Sequence, residues 1–150
     1  MDGEYYRNFD PGNNWHEYEI EWRPNTIAWY IDGREVRRDT NTVPVLDMNK
    51  EHTLIMNFWT PTWNGWGGGR DDSTMPWYAQ YDYVEAYDYD MATDSFNLRF
   101  RDDFEYLDTN RWRATDYGGF ESNSTRFMAS HVYTKDGALI LKMDKYHGSE

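Results

Sequence analysis

Trp15-His16-Glu17-Tyr18-Glu19-Ile20-Glu21-Trp22-Arg23-Pro24-Asn25-Thr26-Ile27-Ala28-Trp29-Tyr30-Ile31-Asp32-Gly33 decides the fold class. From Glu17 to Trp22 charged and apolar residues alternate strictly, the period of a strand with one wet face and one apolar face. On that pattern Tyr18, Ile20 and Trp22 are expected inside, with Glu17, Glu19 and Glu21 in water. Ile27 to Ile31 forms a second apolar run. Asp32-Gly33 is a type I′ hairpin signal, because both central residues of that turn need positive φ. Arg34 to Arg38 returns as the third strand.

The same grammar continues along the chain. His52 to Trp59, Tyr78 to Tyr87, Phe96 to Phe100, Arg126 to Tyr133 and Ala138 to Met143 read as further strands, with Asp136-Gly137 as a second hairpin turn. No segment carries a 3.6-residue apolar stripe over ten positions. The pattern predicts an all-β sandwich of short antiparallel strands.

Composition limits what such a domain does. The 150 residues hold 8 Trp, 13 Tyr and 7 Phe, and a net charge of −12. A field of that sign repels phosphate backbones and anionic lipid, so neither nucleic acid nor membrane is expected as a partner. No stretch reaches the ~18 apolar residues of a bilayer span. The acidic start, Met1 to Asp10, shows no signal peptide. Without Cys there is no disulfide, thiolate metal site or cysteine nucleophile. His16, His52, His131 and His147 lack zinc-site spacing. Asn123-Ser124-Thr125 is a glycosylation sequon.

Three groups have chemical potential. Glu17, Glu19 and Glu21 share one strand face, with neighbours about 6.6–7 Å apart along the chain. That spacing is close to the ~5–9.5 Å separation of paired glycosidase carboxylates. Trp59, Trp63, Trp66 and Trp77 surround the Gly65-Trp66-Gly67-Gly68-Gly69 stretch, where flat rings can face a pyranose while Asn57 meets its hydroxyls. Phe58 and Trp77 are expected in the core, and Trp59 and Trp66 at a ligand. The acidic pairs Asp71-Asp72, Asp88-x-Asp90 and Asp102-Asp103 lack the spacing of an EF-hand.

Several stretches together resemble glycoside hydrolase family 16. Trp15 to Gly33 resembles a paired-strand signature of that family. Leu54 to Val84 is similar to the C-terminal strands of bacterial 1,3-1,4-β-glucanases, the lichenases. Phe100 to Trp112, with Asp136 to Leu141, resembles their N-terminal segment. The order is that of a circularly permuted lichenase, incomplete with respect to the family. Residues 1–87 correspond to the C-terminal half of one sandwich, 88–95 to the join between old termini and 96–150 to the N-terminal segment.

The resemblance implies a jelly-roll sandwich of two curved antiparallel sheets, concanavalin A-like, without the strands that carry the catalytic motif. It implies part of a secreted, extracellular endo-β-1,3-1,4-glucanase that retains anomeric configuration, with β-glucan as partner. Asn57, Trp59, Trp66, Tyr117 and Phe120 match substrate positions. Asp82, Asp103 and Gly137 match a structural calcium site, the latter two through backbone oxygens.

The family's catalytic strand carries E-x-D-x-E, and no such motif occurs in these 150 residues. Catalytic carboxylates are therefore expected from a second chain or copy, with Glu17 and Glu21 as runner-up candidates. The alternative is an inactive carbohydrate-binding or self-associating fragment.

Overall fold

Alternation and turn chemistry produce the first sheet. In the computed structural model, which describes residues 12–42, 45, 51–63 and 69–145, β1 (Tyr18–Arg23), β2 (Thr26–Ile31) and β3 (Arg34–Thr40) form an antiparallel sheet in the order β1-β2-β3. Asp32 and Gly33 take φ of 50° and 71°, as the I′ signal requires. The Asp32 carboxylate fixes the turn, accepting from the Glu17 backbone N–H at 3.0 Å and lying 2.8 Å from His16 Nδ1. The bond to His16 and then the amide hold that carboxyl below its ordinary value.

Burial along β1 departs from the expectation. Tyr18 and Ile20 are 60% and 65% exposed, while Trp22 is half-buried and meets the His52 ring edge-on at 4.8 Å. The sheet is covered toward Ile27 and Ala28 and open at the start of β1, so burial changes along the strand instead of across it. Periodicity identifies the two faces but does not say what covers each one.

The remaining strands are β4 (Trp77–Tyr81), β5 (Val84–Asp90), β6 (Ser95–Asp102), β7 (Val132–Lys135) and β8 (Ala138–Met143). They form a β4-β8-β7 sheet and a β5-β6 pair. The Tyr78 to Tyr87 stretch divides into β4 and β5. Residues 88–95, the expected join, form the tip of the β5-β6 hairpin. Arg126 to Tyr133 is a strand only at its end, after a short 3-10 turn at Ala129–His131. His52 to Trp59 is outside every ladder, because its apolar run has no strand partner among the described residues. The chain is all-β with antiparallel sheets, as a jelly-roll sandwich requires.

The chain divides into two compact units, residues 1–53 with 89–95, and residues 54–88 with 96–150. In the first, Arg23 pairs with Asp94 and lies 5.3 Å from the Tyr89 ring centroid, tying β1 to the hairpin tip. The core of the second is Phe104, Leu139 and Leu141, lined by Met56, Phe58, Tyr81, Val84 and Trp112. Phe58 thus sits in the core, as expected. Trp77 is half-buried and donates its indole N–H to Thr74 at 2.8 Å.

Phe104 is fully buried although its φ is 52°. A non-glycine residue in that region is strained by roughly 1–3 kcal/mol and persists only where its surroundings fix it. Here Asp102 fixes it. Its carboxylate, in a residue 9% exposed, accepts from the Phe104 N–H at 3.0 Å, Trp112 Nε1 at 2.7 Å and Arg111 Nη1 at 3.0 Å. Burial pushes the carboxyl upward, and the three donors more than offset it, leaving the value below that of an ordinary aspartate.

A folded value below the unfolded one means that the stabilisation is complete above the unfolded value, about 3.9. It is lost as pH falls through the folded value. Asp102→Ala is expected to cost about 3 kcal/mol in urea unfolding at neutral pH. It should also flatten the stability profile below about pH 4.

Candidate functional site

The second unit contains most of the expected substrate residues. Trp59 leaves the segment that follows Phe58, and Phe120 comes from the 117–127 loop. Their rings meet edge-to-face, centroids 4.9 Å apart and planes at 74°. Edge-to-face contact places the positive rim of one ring on the negative face of the other and leaves further ring surface available to a ligand. Trp59 is half-buried and Phe120 is 43% exposed. Tyr117 is exposed and stacks on Phe127 at 6.2 Å and 15°. Asn57 is exposed two residues before Trp59. Trp63 is also exposed. Trp66 lies outside the described residues.

The loop is shaped by its own polar groups. Asn123 takes the Phe120 carbonyl through its backbone N–H at 2.8 Å. Its side-chain amide donates to the Thr125 carbonyl at 2.9 Å and accepts from the Thr125 N–H at 2.7 Å. The amide read as a glycosylation acceptor is therefore engaged in closing the loop. Gly119 has φ of 89°, and a Cβ there would stand 2.8 Å from the Thr125 carbonyl oxygen and 2.9 Å from Asn123 Nδ2.

Residues 60–62 hold this loop in place. Ser124 N–H donates to the Thr60 carbonyl and Thr62 N–H to the Ser122 carbonyl, both at 2.9 Å, around an antiparallel bridge between Pro61 and Asn123. Arg70 donates to Ser124 Oγ at 2.7 Å and Thr60 Oγ1 at 3.3 Å. Nothing in the Gly69-Arg70-Asp71-Asp72 sequence marks Arg70 for this position, and sequence reasoning missed it.

The carboxylates of β1 belong to the first unit. Glu21 accepts from the Tyr30 hydroxyl at 3.4 Å and lies 3.6 Å from Arg23 Nε. Glu19 faces Tyr30 across the ladder. Desolvation raises its carboxyl above the ordinary value, followed by the charges of Glu21 and Glu17.

Asp82, Asp103 and Gly137 come from three elements of the second unit. Tyr81 pairs with Leu139, so Asp82 follows β4 where β8 emerges from the Asp136-Gly137 turn. Gly137 has φ of 74°, and a Cβ on it would be 3.8 Å from Glu105 Oε1. The Asp103 carboxylate pairs with Arg101 at 2.6 Å. No three acidic, His or Cys side chains converge as a metal cluster among the described residues.

Comparison with known proteins identifies the family. The profile of Glycosyl hydrolases family 16 matches residues 2–85. The chain is similar to a beta-glucanase of Fibrobacter succinogenes, 31% identical over 134 residues, covering 87% of this chain and 38% of the relative. It is 37% identical over 86 residues to a beta-glucanase of Acetivibrio thermocellus, covering 56% of this chain and 25% of that protein. A beta-glucanase of Bacillus subtilis is 36% identical over 76 residues, with coverage of 51% and 30%. The chain belongs to glycoside hydrolase family 16. It spans 25% to 38% of the length of these three curated relatives.

Gly119→Ala puts a methyl against two fixed polar groups and strains a left-handed backbone. It is expected to cost about 1–3 kcal/mol in urea unfolding and to weaken the nuclear Overhauser effects between the Trp59 and Phe120 rings.

Proposed function

We propose that this chain forms part of an endo-β-1,3-1,4-glucanase and supplies ring and amide subsites for mixed-linkage β-glucan. The observation that carries the reading is the Trp59–Phe120 pair, with Asn57 exposed nearby in sequence, in a family 16 chain. A glucan strand presents C–H faces to the rings and hydroxyls to Asn57. In this reading Tyr117 and Trp66 serve as further sugar-binding rings. The net charge of −12 does not oppose a neutral polysaccharide.

Hydrolysis in this reading proceeds with retention by double displacement. One carboxylate attacks the anomeric carbon while an acid protonates the leaving oxygen. Water then opens the glycosyl-enzyme with the same acid acting as base. Those carboxylates are supplied by E-x-D-x-E on another segment or chain. The permuted order belongs to this reading. The protein acts outside the cell. Asp82, Asp103 and Gly137 would hold a structural calcium, the latter two through backbone oxygens, and the ion would supply positive charge near these chain segments.

Isothermal titration of a mixed-linkage gluco-oligosaccharide should show binding by the purified chain, weakened about tenfold (~1.4 kcal/mol) in Trp59→Ala. A lichenan reducing-end assay should show no turnover by the chain alone. Turnover abolished by Glu17→Gln or Glu21→Gln would move the catalytic assignment to those residues, and the absence of any glucan binding would overturn the reading. Separately, millimolar calcium should raise the thermal midpoint of the wild type relative to EDTA and leave Asp82→Asn unaffected.

A further inference from the structure

We propose that Arg70 is the positioning residue of the Trp59–Phe120 platform, and that its guanidinium sets the angle at which the two rings meet a sugar; the ligand part of this rests on the glucan reading above.

The two rings are 61 positions apart in sequence and their elements share no ladder, only the Pro61–Asn123 bridge. A single bridged pair is too short to be stable by itself. Side chains reinforce it. Thr60 Oγ1 is 2.8 Å from Ser124 Oγ and 3.3 Å from Thr125 Oγ1, and Thr60 N–H donates to Thr125 Oγ1 at 3.1 Å. Hydroxyls rotate freely, so a hydroxyl cluster does not fix a register unless a rigid donor orients it.

Arg70 is that donor. Nη1 reaches both Thr60 and Ser124, one on each side of the bridge. Its remaining edge is anchored by Asp72, with Nε 2.6 Å from Oδ1 and Nη2 3.2 Å from Oδ2. Asp72 starts the 3-10 turn Asp72–Thr74, capped by Asp71 through the Ser73 N–H at 2.9 Å. A fixed turn thus holds a planar fork whose other end clamps the two segments carrying the rings. A lysine ammonium, a single point donor, cannot span the same set.

The guanidinium is partly exposed, and its ion pair with Asp72 contributes little to global stability. A positioning role therefore predicts a separation that a purely structural role does not give: ring geometry and sugar affinity change while the unfolding midpoint hardly moves.

The test uses the whole chain as wild type, Arg70→Ala and Arg70→Lys. Ring-to-ring Overhauser effects between Trp59 and Phe120 and hydrogen exchange at the Thr62 and Ser124 amides report position without any ligand. Titration with a mixed-linkage gluco-oligosaccharide reports use. Arg70→Ala should speed those amides about tenfold or more and weaken the ring effects. Its sugar affinity should fall about tenfold, with a urea midpoint near that of wild type. Arg70→Lys should recover only part of each change.

Unchanged rings and amides in Arg70→Ala overturn the positioning role. Displaced rings with unchanged affinity overturn the link to the ligand. A wild type that ignores glucan overturns the glucan reading, and with it the ligand role, while the ring and amide measurements still decide the clamp. Should Arg70→Ala fail to fold, Asp72→Asn loosens the guanidinium without removing it and is judged by the same readouts.

Discussion

Asp102 governs the second unit. A strand that ends at a buried carboxylate would be destabilised by it, yet here three donors of different origin converge on one group: a backbone amide two residues on, an indole and a guanidinium. The amide bond stabilises the left-handed turn at Phe104, and that turn drives the phenyl ring into contact with Leu139 and Leu141. β8 carries both leucines and pairs with β4 on one side and β7 on the other. The indole bond holds Trp112 where it meets Phe104 and Phe100 at 5.9 Å and 6.3 Å. One polar cluster therefore supports the apolar core beside it, and Met56 and Phe58, just before Trp59, pack on that core.

The arginines divide into two kinds by what they accomplish. Arg37, Arg38 and Arg99 pair with acids on the surface, in arrangements worth little to stability. Arg70 and Arg101 join segments distant in sequence, and Arg111 spans a shorter turn. Arg101 lies over Tyr83 at 4.0 Å while pairing with Glu85 and Asp103. Arg111 lies over Phe100 while donating to Asp102. The planar, permanently charged fork makes this possible. An acidic chain with few cations places several of them where they cross-link.

Much of this was legible in the sequence, and the rest was hidden for identifiable reasons. The β1-β2-β3 sheet could be read because alternation and Asp32-Gly33 are local signals. Phe58 was rightly expected in the core. The His52 to Trp59 run misled because an apolar run records a need for cover, not a strand partner. Tyr18 and Ile20 misled for the complementary reason, since alternation cannot say whether the apolar face is covered. At the site, Trp59 and Phe120 were each expected at the ligand, but their mutual contact depends on a bridge between distant segments. Arg70 gave no signal, because its partners are ordinary hydroxyls that only the fold assembles.

The open beginning of β1 has a consequence for how the protein behaves outside the cell's usual acidity. Among the described residues β1 is an edge of its sheet, where exposed Tyr18 and Ile20 alternate with the Glu17, Glu19 and Glu21 carboxylates. Charge on an edge strand keeps neighbouring molecules from adding their own strands to it. Desolvation, and then the charges of Glu21 and Glu17, hold the Glu19 carboxyl above its ordinary value, so acid removes the charge at that position early. What results is a less charged, β-prone ribbon with Tyr18 and Ile20 exposed, closer to the kind of segment that seeds fibrils. The same alternation that makes the fold readable thus doubles as an electrostatic guard against polymerisation, and the guard weakens as acidity rises.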